Sequence, residues 1–462
     1  MSLSDHLRAA ADNQDRDGEG NLPEPMRPAA DPTTALKDRA RDALLARLGT
    51  RLYDASMSPT QLNQHVVEEL GKVLEAETVP LTASEREQLV AEISDDVLGL
   101  GPIERFLADP TVTEVMVNGT DAIYVERAGK LHRTTERFGS DARLRQVIDK
   151  IVSAVGRRID ESSPMVDARL ADGSRVNAVI PPLAIDGPAL TIRKFARHRL
   201  SVDDLVNFGT LTSEAAEFLA ACVAGRLNIM ISGGTGTGKT TLLNVMSSMI
   251  PENERIVTIE DAAELQLDQQ HLVRLESRPV NIEGRGRVSI RDLVRNALRM
   301  RPDRIIVGEV RGGETLDMLQ AMNTGHDGSL STVHANSPRD ALFRLETMTL
   351  MAGMDLPLRA IRDQVASALD LVVHLSRLRD GSRRVTQISE VAGAEGDVVS
   401  LSDLFAFDYA AGLDDEGRHQ GTLAPTGLRP GFAERLRDTG IELPARLLGI
   451  DAPALARPGA RR

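Results

Sequence analysis

Gly233-Gly234-Thr235-Gly236-Thr237-Gly238-Lys239-Thr240 is the stretch that decides the fold. It fills every fixed position of G-x-x-x-x-G-K-[ST]. Leu227-Asn228-Ile229-Met230-Ile231 before it reads as a short buried strand, and Thr241-Leu242-Leu243-Asn244-Val245-Met246 after it as the start of a helix. Strand, glycine loop and helix let backbone N–H groups converge on phosphate oxygens, with the helix N-terminus adding positive dipole. Lys239 is expected to reach the β- and γ-phosphates of a nucleotide, and the Thr240 hydroxyl to hold Mg²⁺. With Thr241 these residues form the expected nucleotide-binding set.

Working outward, residues 205–392 alternate strand and helix. Ile256-Val257-Thr258-Ile259, Ile305-Ile306-Val307 and Leu330-Ser331-Thr332-Val333 are short apolar strands, with helical stretches near 289–300, 313–323 and 338–352 between them. That alternation predicts an α/β domain with a mostly parallel sheet and helices on both faces. Upstream, 100–195 mixes elements. Val112–Val117 and Ile123–Val125 read as strands around an Asn118-Gly119 turn, a helix follows Ser140, and Asp172-Gly173 signals a hairpin. Residues 196–204 read as a linker. Residues 35–99 read as three helices: Leu36, Ala40, Leu44 and Leu48 recur at helical spacing, and Ser58-Pro59-Thr60-Gln61 and Thr82-Ala83-Ser84-Glu85 are capping-box starts. Residues 1–34 are polar and rich in Asp, Asn, Gly and Pro, the composition of a disordered arm. Residues 393–462, Gly- and Asp-rich with short strands such as Val398-Val399-Ser400-Leu401, read as an appendage.

Composition narrows the function classes. The 462 residues are 41% hydrophobic and 27% charged, the balance of a globular protein with room for about three domains. The net charge of −13 argues against nucleic acid as a direct ligand, and 3% aromatics with no Trp leave few platforms for stacking bases. The single Cys222 excludes a disulfide framework and a multi-cysteine zinc site; its apolar neighbours make it a buried thiol. No apolar signal core opens the chain and no run of about 18 apolar residues crosses a membrane. A cytoplasmic protein is expected.

Phosphoryl transfer to water needs metal ligands, a group to orient the water and positive charge for the transition state. Carboxylates at the carboxyl ends of parallel strands lie where α/β sheets bind ligands. Thr258-Ile259-Glu260-Asp261-Ala262-Ala263-Glu264 and Arg304-Ile305-Ile306-Val307-Gly308-Glu309-Val310-Arg311 are two such ends. The second is a Walker B-like strand with Gly308 where an Asp is usual and Glu309 in the place of the catalytic carboxylate. Glu309 and Glu260 are candidate catalytic acids and Asp261 a candidate Mg²⁺ ligand; which acid manages metal and which positions water stays open. The segment from Gly325 to Ser337 carries His326 and His334, two of nine histidines, among Gly, Ser and Asn. With no Cys nearby and no i,i+4 pair, phosphate sensing or water positioning is favoured over metal binding.

These four boxes, in this order, resemble the type II/type IV secretion ATPase superfamily. Asp167-Ala168-Arg169-Leu170-Ala171-Asp172-Gly173-Ser174-Arg175-Val176-Asn177 and Thr191-Ile192-Arg193-Lys194-Phe195 are similar to the branch that drives Tad/Flp pilus assembly, the CpaF/TadA-like ATPases, and the tail with Leu404-Phe405-Ala406-Phe407 and Gly427-Leu428-Arg429-Pro430 is similar too. The resemblance spans about 35–455. It implies an ATP hydrolase: a RecA-like core over 205–392, a PAS-like α+β domain over 100–195, and an N-terminal helical bundle. It further implies a homohexameric ring on the cytoplasmic side of the inner membrane, under a platform protein. Arg175 and Arg193 match the family's phosphate-contacting arginines. The four-cysteine zinc module often found in the type II secretion branch is missing from this chain. Two alternatives stay open: a conjugation or DNA-transfer ATPase of the same superfamily, and a non-motor P-loop nucleotide-binding protein or small-molecule kinase.

Overall fold

A computed structural model describes residues 32–48, 59–76, 82–127, 129–195, 199–280, 285–396 and 398–448. The expected arm lies outside these up to residue 31; at Pro32 a helix has already begun. The chain divides into two compact units, the first Met1–Val155, Ile159–Arg169 and Val176–Lys194, the second Gly156–Arg158, Leu170–Arg175 and Phe195–Arg462.

In the first unit, helices Pro32–Leu48, Pro59–Glu75 and Ala83–Leu98 share one apolar cluster. Leu36, Ala40, Leu44 and Leu48, each four apart and thus on one face, bury against Val66, Leu70, Leu89 and Ile93. The third helix opens on a reciprocal cap, Thr82 N–H to Glu85 Oε2 at 2.8 Å and Glu85 N–H to Thr82 Oγ1 at 3.3 Å. A six-stranded sheet follows, from β1 Val112–Asn118, β2 Ala122–Arg127, β3 Lys130–Arg133, β4 Met165–Arg169, β5 Arg175–Val179 and β6 Ala189–Arg193, in the order β3-β2-β1-β6-β5-β4. Its strands alternate: Val115, Val117, Ile123 and Val125 point inward in register while Glu114 and Met116 do not. Helix Asp141–Ala154, capped by Ser140, buries Leu144, Ile148 and Ile151.

The second unit holds a nine-stranded sheet: β7 Ile229–Gly233, β8 Ile256–Glu260, β9 Leu272–Glu276, β10 Arg304–Val307, β11 Leu330–His334, β12 Leu371–Arg377, β13 Arg383–Glu395, β14 Val398–Phe407 and β15 Leu423–Pro425. The order is β15-β14-β13-β12-β7-β11-β10-β8-β9. From β12 to β9 every pairing is parallel; from β12 to β15 every pairing is antiparallel. β7, β8 and β10 are buried at every position, because helices cover both faces. One apolar cluster takes in helices Ser213–Ala224 and Lys239–Ser247, with Cys222 inside it; the other takes in Glu314–Asn323, Pro338–Leu350 and Leu358–Ala368.

Two expected boundaries change. The linker 196–204, of which 196–198 lie outside the described residues, already contains the start of helix Val202–Asn207, fixed by a Ser201–Asp204 capping box. The expected appendage at 393–462, of which 397 and 449–462 lie outside the described residues, does not separate from the core as far as residue 448. Its boundary falls inside β13, β14 pairs with β13 along its length, and Leu404, Phe405, Leu423, Phe432, Leu436 and Leu448 lie in the central apolar cluster. Phe405 packs on Phe218 with ring centroids 5.1 Å apart. The region reads as peripheral because the first six residues of β14 are exposed or only half-buried and its pairing with β13 is broken by register shifts at Ile388/Ser389 and Val391/Gly393, which blur the alternation.

Candidate functional site

β7 delivers the glycine loop to helix Lys239–Ser247. Only glycine fits at Gly233: φ is +157°, and a Cβ would stand 2.6 Å from the Leu375 carbonyl oxygen and 2.7 Å from Thr237 Oγ1. The loop is closed by Thr237 Oγ1 donating to the Gly234 carbonyl at 3.0 Å. Lys239 is only 8% exposed, and its Nζ donates to the same carbonyl at 2.9 Å. Burial lowers its pKa, as does the Arg311 charge, while Glu309 opposes them. An ammonium held in so little water is stabilised by an arriving anion.

The carboxyl ends of β11, β10 and β8 converge on this lysine. His334 ends β11, and its Nδ1 lies 3.4 Å from Lys239 Nζ. Its Nε2 lies 2.8 Å from Glu309 Oε1. Burial lowers the His334 pKa more than Glu309 raises it, so the neutral ring prevails near pH 7. Glu309 Oε2 accepts from Arg311 Nε at 2.9 Å and Nη2 at 2.6 Å, and Arg311 Nη1 reaches Asp261 at 3.7 Å. Lysine, imidazole, carboxylate and guanidinium thus run in one line across three strand ends. That line can hold a phosphate, orient a water and place positive charge beside both.

Glu260, at the end of β8, is 3% exposed. Its Oε1 accepts the N–H groups of Glu264 and Leu265 at 2.8 and 3.0 Å, fixing the following turn. Its Oε2 is buried without a hydrogen-bond partner among the described residues. Burial pushes its pKa up to about 7. Its side chain also accounts for Gly308: a Cβ there would come 2.9 Å from Glu260 Cγ, so the usual Walker B Asp has no room. Asp261 is more exposed and accepts from Ser277 Oγ at 2.7 Å.

The remaining predicted residues fall elsewhere. Arg175, grouped with the second unit, ion-pairs with Glu264 at 2.6 Å, four residues past Glu260. Arg193 ends β6 in the first unit and pairs with Glu114 on β1. His326 does not join the cluster. It precedes β11 while His334 ends it, and five strand residues at about 3.3 Å each put some 16 Å between the two ends of the sheet. His326 lies beside the Ser329 turn, its carbonyl accepting Ser329 Oγ at 2.7 Å. Proximity in sequence suggested a pair; a strand through the sheet separates them.

Two residues escaped the sequence reading. His374 on β12 is buried beside the loop's root, and Arg383, at the start of β13, donates from Nε to the Gly236 carbonyl at 2.9 Å. The available signal was a lone histidine inside the apolar run Leu371–Leu375.

Among known proteins, the sequence profile of the Type II/IV secretion system protein family matches residues 96–401. A putative conjugal transfer protein of Mycobacterium tuberculosis is 39% identical over 333 residues, 70% of this chain and 94% of that one. The conjugal transfer protein TrbB of Rhizobium radiobacter is 35% identical over 292 residues, 62% of this chain and 86% of that one. The type IV secretion system protein VirB11 of Bartonella quintana is 31% identical over 330 residues, 63% of this chain and 91% of that one. With a family match over most of its length, this chain belongs to the type II/IV secretion system protein family.

Proposed function

We propose that the chain is an ATP hydrolase that works as a homohexameric ring beneath an inner-membrane platform protein and powers movement of a protein substrate, with Tad/Flp-type pilus assembly as the specific setting. The observation that carries the reading is the contact line Lys239–His334–Glu309–Arg311 at the carboxyl ends of the parallel strands. Lys239 neutralises the β- and γ-phosphates. Glu309 polarises the attacking water, and neutral His334, between acid and lysine, senses the γ-phosphate. Arg175 and Arg193 add positive charge when the ring assembles, and Gly233 to Thr241 cradle the phosphates.

The residues fit a divalent cation. Glu260 Oε2 is a buried, unpartnered carboxylate oxygen at the strand end, and Asp261 offers hard oxygen donors beside it. Thr240 and Asp261 would hold Mg²⁺, which would screen the phosphate charge. Glu260 keeps the turn that carries Asp261 in place.

The Tad/Flp assignment rests on the segments Asp167–Asn177 and Thr191–Phe195, as does the reading of the first unit's sheet as PAS-like. A second reading, a motor for conjugal transfer, is favoured by the names of the Mycobacterium and Rhizobium relatives. The acidic charge of the chain is compatible with both, since such a motor need not touch DNA. No helix among the described residues is long and apolar enough to cross a membrane.

The test is the concentration dependence of ATP hydrolysis by the full chain. Specific activity is expected to rise as rings form, because Arg175 and Arg193 act fully only in the assembled state, and an arginine so placed contributes on the order of 10³–10⁵ in rate. Constant specific activity from a species of monomeric mass in the presence of ATP sinks the motor and favours a simple nucleotide-binding protein. Deleting the gene and scoring pilus formation against plasmid transfer separates the two settings.

A further inference from the structure

The phosphate loop is held from outside by a hairpin that belongs to none of the four boxes. β12 lies beside β7 in parallel register, Ser232 facing His374 and Gly233 facing Leu375. His374 is 5% exposed inside an otherwise apolar stretch, and its Nδ1 lies 2.8 Å from Ser232 Oγ. The same ring interacts with the backbone of Asn336, two residues beyond His334. One tautomer satisfies both contacts: Nε2–H directed to the Asn336 carbonyl, Nδ1 accepting from the Ser232 hydroxyl. Burial drives the His374 pKa down to about 4, so this neutral form is the working one. An apolar side chain would fill the same space without desolvating an imidazole, so the polar group has to be explained by its bonds.

After β12 the chain turns through Asp380, whose Oδ1 accepts from Ser382 N–H at 2.9 Å and Ser382 Oγ at 2.6 Å. That turn starts β13 with Arg383, whose Nε holds the Gly236 carbonyl. The hairpin therefore touches the loop at its root and at its crown. Its polar link to the His334 segment is His374.

We propose that His374 is a positioning residue: it locks the root of the phosphate loop to the segment that carries His334, so that contacts to the β-phosphate and to the γ-phosphate form as one unit, while Arg383 fixes the crown. The inference rests on the ATP-hydrolase reading and assigns a coupling that the boxes themselves do not contain. Losing His374 disturbs the γ-phosphate side more than the β-phosphate side. Losing Arg383 disturbs both alike.

The experiment measures affinities of the full chain for Mg·ADP and for the Mg complex of a β,γ-imido ATP analogue by titration calorimetry, with kcat and KM for ATP alongside. In His374→Ala, affinity for the triphosphate analogue is expected to fall roughly tenfold, as for loss of one buried hydrogen-bonded link. ADP affinity should move by less than about threefold, and kcat should fall along with the triphosphate preference. His374→Gln, which keeps a donor and an acceptor, restores most of that preference. Ser232→Ala, which removes one hydroxyl and keeps the fold, moves the ratio of the two affinities in the same direction by a smaller factor, and carries the test if His374→Ala does not fold. Arg383→Ala weakens both ligands by a common factor. An unchanged affinity ratio in Ser232→Ala and His374→Ala, or a Gln variant no better than Ala, overturns the proposal even if both variants melt earlier. A wild-type chain that binds neither nucleotide overturns the underlying reading and this inference with it.

Discussion

The two halves of the nine-stranded sheet follow different physical rules. The parallel half, β12 to β9, is covered on both faces as far as β8, reads as continuous apolar runs and brings the lysine, histidine and acids of the candidate site to its carboxyl ends. The antiparallel half, β12 to β15, has register shifts, a β14 that is exposed or half-buried along its first six residues and no acid of the four boxes, yet it carries Phe405 and Leu404 into the core and Arg383 onto the phosphate loop. Parallel strands bring carboxyl ends to one edge and so concentrate reacting groups there. Antiparallel strands return the chain to the same edge from the other side and so brace it. The groups of the candidate site and the contacts that brace its loop thus come from different halves of one sheet, and each half can be perturbed separately.

The largest expected effect comes from cutting between them. A chain ending at residue 392 severs β13 and removes six apolar side chains from the central cluster, Leu404, Phe405, Leu423, Phe432, Leu436 and Leu448. At about 1.5–3 kcal/mol each, their burial rivals the whole net stability of a domain, about 5–15 kcal/mol. Truncation at 392 should therefore give no cooperative thermal transition, where the full chain should show one. A sharp transition in the shorter chain would restore the appendage reading.

Within the parallel half, Lys239→Ala is expected to remove measurable ATP hydrolysis, a loss on the order of 10²–10³ or more in kcat, and to weaken nucleotide binding. The fold should hold, since among the described residues the lysine's hydrogen-bonded carbonyl partner belongs to the loop itself. Turnover near the wild-type rate would remove the loop from the mechanism. Glu309→Gln should be milder in binding and still severe in rate. The amide keeps the shape but not the charge facing water, so kcat should drop about 10²–10⁴-fold with nucleotide affinity within a few-fold. Lost affinity with unchanged residual turnover would make Glu309 structural.

The smallest effect is a matter of pH, and it has opposite signs in the two halves. Glu260, on the parallel side, is raised to about 7, so its contribution to folding is full below its ordinary value near 4.5 and is lost as pH rises through 7. His374, on the bracing side, is lowered to about 4, so its contribution is present above its ordinary 6.5 and is lost as pH falls through 4. Urea midpoints between pH 4 and 8 should show Glu260→Gln gaining on the wild type as pH rises, and His374→Gln gaining as pH falls. Parallel pH curves for wild type and variants would show that neither group titrates differently in the folded chain.

The sequence by itself determined the parallel half. Local pattern suffices there: a glycine loop between a buried strand and a helix, apolar runs of strand length, and acids at their ends are all written within a few residues of one another. That Lys239, Glu309 and His334 lie at neighbouring strand ends was legible for that reason, and so was the family, through the order of its boxes. Only the tertiary structure decided the rest. His326 and His334 are neighbours in the chain, but a strand that spans the sheet carries them to opposite edges. Gly308 is a glycine because the side chain of Glu260, 48 residues earlier, already occupies its space. His374 and Arg383 meet a loop more than a hundred residues away through pairing of β12 with β7, which leaves no trace in composition or periodicity. Short-range order follows from backbone and side-chain preferences that neighbouring residues express. Which edge a residue reaches, and what already fills the space beside it, is set by strand pairing across the whole chain.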